Sequence, residues 1–420
     1  MKKFLIASFV VACGVAFATV PEVSNIVLEQ GSDRVVRVSY DLTGGTAAIT
    51  MDVLTNGVPI GRSYLVNAKG DVDTYVKPGV GRRITWNPLV GWPDSTARSI
   101  SVRLVARAAN EPPAYMAVDL VGENAGTIKF YGSVDELPGG IGSDVYRTTK
   151  LLMRRIPAAN IPWKMGKAGA SQEAVDARHR VALQKDFWLG VFEVTQEQYK
   201  NVMGEYKGYF TASRATRPVE SVSYHEVRAN TAAKLARFPQ GQPYSTSFMG
   251  TLRNVAALDF DLPTEAQWEY ACRAGTETGY YNGTEDAQPT SVIGLAGSAS
   301  SPAATTEPAD GGTKRVGSHD PNGFGLYDMY GNVSEWCVDC YNEVLYGQES
   351  LQGETIDPCN WNTPMTDSGD NDKDNTYVRR GGGWRDLAEF GTSSRRYYWA
   401  KAVNSIGFRV MCYGLTEGAE

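Results

Sequence analysis

Residues 321–336 read PNGFGLYDMYGNVSEW, and this stretch decides how the larger part of the chain folds. Gly323, Gly325 and Gly331 alternate with Phe324, Tyr327, Tyr330 and Trp336. Glycine permits backbone conformations that a Cβ would penalise, and large aromatic rings anchor the resulting loops by burial. Residues 377–386, YVRRGGGWRD, have the same character, with Gly381, Gly382 and Gly383 beside Trp384. Trp188, Trp268, Trp336 and Trp384 are read as anchors of this kind. The chain beyond Gly275 is therefore expected to be loop-dominated. Residues 291–313, rich in Ala, Gly, Ser and Thr, show no helical or strand period, and residues 366–375 (TDSGDNDKDN) are acidic and polar. No internal repeat is evident.

Upstream the signals become regular. Thr195-x-x-Gln198, Ser223-x-x-Glu226 and Thr264-x-x-Gln267 are capping boxes. In each, the hydroxyl satisfies an orphan backbone N–H and the later side chain reaches back. The second predicted helix runs through Ala232 to about Arg237, and the third, from Glu265, stops at Gly275.

Further upstream the period changes to two. Val36, Val38, Tyr40 and Leu42 alternate with Arg37, Ser39 and Asp41; Ile49, Met51 and Val53 alternate with Thr50 and Asp52; Ile100, Val102, Leu104 and Ala106 repeat the pattern. Each such strand buries one face. Asn56-Gly57, Lys69-Gly70 and Pro78-Gly79 read as turns. This predicts an all-β immunoglobulin- or fibronectin-like sandwich over 19–110 with no catalytic constellation. A connection over 111–148 holds one or two strands. A second domain follows over 149–413, with a tail at 414–420.

The N-terminus reads as a secretory signal over 1–18, with Lys2 and Lys3, an apolar Phe4–Ala12 core and an Ala16-Phe17-Ala18 cleavage site. Export to the periplasm, cell envelope or medium is expected. Val10-Val11-Ala12-Cys13 loosely resembles a lipobox, which makes a lipoprotein at Cys13 the minor alternative. The stretch is too short to span a bilayer and no later segment qualifies, so no transmembrane span is expected. Net charge is −6, which favours neither nucleic acid nor an anionic membrane. Mature cysteines are Cys272, Cys337, Cys340, Cys359 and Cys412, an odd number whose pairing the sequence does not choose. Cys337-Val338-Asp339-Cys340 has no second C-x-x-C to make a zinc site, so burial or a structural disulfide is the reading.

After residue 150 the motifs fall in a telling order: LLMRRIPAANIPWKMG (151–166), FWLGVFEVTQEQYKNVMG (187–204), RPVESVSYHEV (217–227), LPTEAQWEYACRAGT (262–276), the opening stretch, YVRRGGGWRD and IGFRV (406–410). Together they resemble the sulfatase-modifying factor family, which includes the formylglycine-generating enzymes. The resemblance implies a mixed α+β, C-type-lectin-like domain with much irregular structure. It also implies chemistry. The enzymes carry two copper-binding cysteines, three and eight residues beyond the serine of a Gly-Gly-Ser motif. Here Gly383 stands for that serine, so the two positions fall on Asp386 and Gly391. Neither supplies the thiolate that Cu(I) prefers, and residues 360–411 contain no cysteine. Copper and oxidative formylglycine formation are therefore not expected.

Relatives that use non-haem iron take histidines from an added helical domain, whereas the added domain here is β-rich. Only His179, His225 and His319 exist, and an iron site assembled from distant positions stays open. The family's calcium region maps onto Asp328, Gly331, Val333 and Glu335, two carboxylates and two backbone carbonyls, so calcium is the expected cofactor. Asp310 is the sole candidate for a second family calcium site; Asp370, Asp372 and Asp374 lack the glycine turn and later Glu of a calcium loop. An arginine near the family's cleft falls on Arg396, or on Arg395 by a one-residue shift. With Trp384, Arg385, Asp386, Tyr397 and Tyr398 these residues would line a cleft for a peptide, protein or glycan. The expected function is that of an exported binding or accessory module. The alternative is a family oxidoreductase with a different metal centre or substrate. A hydrolase finds no G-x-S-x-G.

Overall fold

The computed structural model describes residues 4–5, 21–55, 58–59, 65, 68–72, 74–91, 99–108, 113–171, 174, 176–228, 243–284, 312–345, 353–360, 377–386, 390–399, 401–414 and 416–417. Cys13 and the cleavage site, the Asn56-Gly57 turn, the helical continuation over 232–237, Asp310 and the acidic 366–375 segment lie outside the described residues.

The chain divides into two compact units. The first comprises Met1–Ile141 with Asn254–Leu258 and Gly414–Glu420. Its strands include β1 (Glu22–Gln30), β2 (Val36–Thr43), β3 (Ala47–Thr55), β4 (Thr74–Val76), β5 (Gly79–Trp86), β6 (Ser101–Ala108), β7 (Tyr115–Asp119) and β8 (Ile128–Tyr131). The alternation in β2 appears as alternating burial, with Val36, Val38, Tyr40 and Leu42 inward. One antiparallel sheet runs β1–β2–β5. In a second, β3 is central, paired antiparallel with β6 along its length and with β4 on its other edge. Ile49, Met51 and Val53 from the second sheet join Val38, Tyr40, Ile84 and Trp86 from the first in one core. Lys69–Gly70 is not the turn its sequence suggests. It forms a short strand against Thr85 and Ile84 of β5, so close that a Cβ on Gly70 would sit 2.4 Å from the Arg83 carbonyl. β7 and β8 form a hairpin.

The second unit comprises Gly142–Arg253 and Asp259–Tyr413 and is mixed α/β. Its elements include β9 (Lys150–Ile156), β10 (Ile161–Met165), β11 (His179–Leu183), β12 (Phe187–Gly190), α1 (Gln196–Met203), α2 (Tyr224–Val227), α3 (Phe248–Ala256), α4 (Glu265–Arg273), β13 (Ser334–Cys340), β14 (Glu354–Ile356), β15 (Tyr377–Arg380), β16 (Tyr397–Trp399), β17 (Ile406–Gly407) and β18 (Met411–Cys412). All three capping boxes close as their sequences demand, at Thr195, Ser223 and Thr264. Helix α4 ends one residue earlier than expected, with Ala274 left-handed at φ 45° before Gly275. Every residue of α4 is buried, and Trp268, Ala271 and Cys272 enter a core with Phe187, Tyr330 and Cys337. The sheet that positions the candidate site runs β16–β15–β13–β17, antiparallel except for the parallel β13–β17 pair.

Candidate functional site

The β15–β16 hairpin sets Arg379 opposite Tyr397. The chain leaves β15 through Gly381 and Gly382, both at positive φ, and through Gly383, where a Cβ would lie 2.6 Å from the Ser405 carbonyl oxygen. Only glycine permits that approach. The turn delivers Asp386, whose Oδ2 accepts the Gly383 N–H at 2.8 Å and lies 3.5 Å from Arg379 Nη1. Arg379 also donates to Ser334 Oγ at 2.7 Å. Arg395 donates to Tyr397 Oη at 2.8 Å, and the Arg379 and Arg395 guanidinium carbons lie 5.0 and 5.1 Å from the Tyr397 ring centroid. Burial holds the Arg379 guanidinium below its usual value, and Asp386 opposes this. The result is a half-buried cluster of two guanidiniums, one phenol and one carboxylate. Arg385 beside it is exposed, as are Tyr398 (50%) and Trp399 (42%) of β16.

Arg396 does not join this cluster. It is buried and forms a two-pronged pair with Glu265 of α4, both contacts at 2.8 Å, so its guanidinium is turned inward. Trp384 is half-buried; its Nε1 donates to the Asn404 carbonyl at 2.8 Å and its ring meets Phe210 edge-on.

A second charged cluster lies behind the 321–336 stretch. Glu335 of β13 and Arg409 are both buried and paired, with Arg409 Nη2 2.7 Å from Glu335 Oε1. Trp268 Nε1 donates to Glu335 Oε2 at 2.7 Å. Asp328, left-handed at φ 56°, accepts the Gly317 N–H and lies 3.0 Å from His319 Nδ1. Gly331 donates its N–H to the Gly381 carbonyl at 2.9 Å. The Val333 N–H goes to Glu193 Oε1 at 3.0 Å, and Asn332 Nδ2 donates to the other oxygen of Glu193. Burial pushes the Glu193 carboxyl well above its ordinary value, aided by the charges of Asp328 and Glu335.

The sequence profile of the sulfatase-modifying factor enzyme 1-like domain matches residues 155–412, more than half of the chain. The chain belongs to this family. Chaperone protein LppX of Paenibacillus barcinonensis is 31% identical over 181 residues, covering 37% of this chain and 63% of that protein. The formylglycine-generating enzyme of Thermomonospora curvata is 35% identical over 99 residues, covering 23% of this chain and 32% of that enzyme. The chain thus spans less than two-thirds of either relative's length. Among solved structures, Treponema denticola variable protein 1 gives a TM-score of 0.46 at 23% identity, over 65% of this chain and 97% of that one.

As a sulfatase-modifying factor family member the chain lacks the catalytic cysteine arrangement. Asp386, where the resemblance places one of the two cysteines, is tied into its loop by the Gly383 N–H. The thiol nearest in space to this segment among the described contacts is Cys272, whose Sγ lies 3.8 Å from Ser393 Oγ. Burial pushes Cys272 and Cys340 up to about 12 and Cys337 and Cys359 well above the usual thiol value. All four are therefore protonated at neutral pH, whereas the thiolate is the nucleophile and metal ligand. Cys337 of the C-x-x-C belongs to the hydrophobic core, and Cys272, Cys337, Cys340, Cys359 and Cys412 are free thiols. Among the described residues no group of three or more His, Cys, Asp or Glu side chains is placed to hold a metal ion, and no helix is long and apolar enough to cross a membrane.

Arg379, Glu193 and Arg409 are not singled out by the sequence, and His319 enters there only as one of three histidines. Arg379 and Arg409 stand inside quoted motifs, YVRRGGGWRD and IGFRV, and a basic residue fixed between apolar and glycine positions was the available signal.

Proposed function

We propose that the protein is an exported binding or accessory member of the family, without thiol-oxidising activity, whose ligand is a peptide or glycan held at the Arg379–Asp386–Arg395–Tyr397 cluster. The observation that carries the reading is Asp386. Where the enzymes need a thiol, this chain has a carboxylate already bonded to the Gly383 N–H and facing Arg379. A carboxylate there cannot pass electrons to oxygen. It can set the charge of a recognition surface. Arginine and tyrosine are favoured at such surfaces because each offers a flat face and directed donors. The exposed rings of Tyr398 and Trp399 extend the surface along β16. The name of the LppX relative, a chaperone protein, supports an accessory role for a member of this fold. The two sheets over one core support an immunoglobulin- or fibronectin-like sandwich over 19–110, and the glycine-rich loops of the second unit suit a C-type-lectin-like domain over 149–413.

The test is direct. Full-length protein is incubated with a cysteine-containing sulfatase peptide, copper and oxygen, and the peptide is weighed by mass spectrometry. No mass loss is expected. Conversion of cysteine to formylglycine at any multiple of the enzyme-free rate would overturn the reading.

A further inference from the structure

The donors around Glu335 do not suit the calcium ion that the family resemblance implies. We propose that Arg409 is the built-in counter-cation of the Asp328 and Glu335 carboxylates, and that the fold is independent of calcium at Asp328, Gly331, Val333 and Glu335. An ionised carboxylate has about four lone-pair positions. On Glu335 three N–H groups, two from Arg409 and one from Trp268, already fill this shell, the Arg409 Nε–H being shared between both oxygens. Oε1 accepts from Arg409 Nε at 3.1 Å and from Nη2 at 2.7 Å. Oε2 accepts from Arg409 Nε at 3.1 Å and from Trp268 Nε1 at 2.7 Å. A calcium ion takes its ligands at about 2.3–2.6 Å, so reaching Glu335 would mean evicting one of these donors. The ion would then stand beside a guanidinium in a low-dielectric interior, where like charges repel strongly.

The guanidinium is also bonded on the sides away from Glu335. Nη1 donates to the Gly190 carbonyl and Nη2 to the Tyr327 carbonyl, each at 2.8 Å. Arginine suits this task because its charge is permanent and its fork is rigid. Asp328 is also spent locally, on the Gly317 N–H and opposite His319 Nδ1. An internal cation joins β12, the 321–336 loop and β13 as an ion would, but cannot be lost to a chelator. This inference is independent of the binding reading and of any activity.

The experiment measures thermal unfolding of full-length protein in EGTA and in millimolar calcium, with equilibrium dialysis against radioactive calcium. The expected result is an unchanged Tm and no stoichiometric ion. A bound ion in large excess over its Kd raises Tm by several degrees. Such a rise, with one ion bound and both lost in Asp328→Ala, sinks the proposal. Arg409→Met supplies the positive arm. Without its cation the cluster is left uncompensated, so Tm in EGTA falls by roughly 10 °C. Calcium then recovers part of the loss. If Arg409→Met does not fold, Arg409→Lys is read instead, since it keeps a point charge and loses the fork. A variant as stable in EGTA as the parent also overturns the assignment.

Discussion

Asp339 shows how one residue in this interior reports on pH. It is buried at the end of β13, where its Oδ2 accepts the Glu265 N–H at 2.7 Å and its Oδ1 accepts the Asn360 N–H at 2.9 Å. Burial, with the charge of Glu265, pushes its carboxyl up to about 7. An unfolded aspartate titrates near 3.9. Between those two values the folded chain keeps a proton that the unfolded chain has released, so stability falls as pH rises from about 4 to about 7. The drop from this one group is on the order of 4 kcal/mol. Asp339→Asn has no such proton. It also turns an amide N–H₂ toward one of the two backbone donors, so it is the less stable protein at low pH. Urea unfolding at pH 4.5 and 7.5 should show the gap between parent and variant narrowing as pH rises. Glu193 shifts in the same direction but is present in both proteins and cancels. Parallel pH curves would mean that Asp339 is ionised throughout.

At the scale of elements, α4 shows what was legible and what was not. Its start was readable because a capping box is local: Thr264 and Gln267 are three residues apart and bond each other, with Gln267 N to Thr264 Oγ1 at 3.2 Å and Thr264 N to Gln267 Oε1 at 2.9 Å. The alternation of β2 was readable for the same reason. The partners of α4 were not. Glu265 pairs with Arg396, 131 residues on, and Glu269 pairs with Arg380, 111 residues on. Such pairs leave no period in the sequence, so Arg396 looked like a cleft residue when it is an internal strut. Lys69–Gly70 looked like a turn because its strand partner, β5, lies across the sheet. Both errors come from reading local signals where a distant partner decides. The cap itself is testable. Thr264→Ala removes one side-chain acceptor at a buried helix start and should cost about 1 kcal/mol, read as a lower urea midpoint with an unchanged m-value. A midpoint within error of the parent would mean that packing alone holds α4.

At the scale of the whole molecule, the first unit is not simply the N-terminal part of the chain. It takes in Gly414–Glu420, and Thr416–Glu417 pair in parallel with Thr74 and Tyr75 of β4. Without that pairing β4 would be an edge with unpaired backbone groups, which is a poor arrangement for a strand of three residues. Residues 414–420 carry no motif, so in the sequence they read as a tail. A chain ending at Tyr413 should therefore weaken β4 and leave α4 and β13 unchanged, because the core cluster that Val76 joins includes no residue of either. Loss of this two-residue pairing, at about 0.5–1.5 kcal/mol per backbone hydrogen bond, suggests a local loss of about 1–3 kcal/mol. Amide exchange read by mass spectrometry is the suitable measurement, since it resolves local opening from global unfolding. Peptides covering Thr74–Val76 should exchange about 5- to 150-fold faster in the truncated chain, in proportion to that loss. Peptides from α4 and β13 should exchange as in the parent. Unaltered protection over β4 would show that the terminal pairing contributes nothing, and faster exchange in α4 would show that the second unit also depends on it.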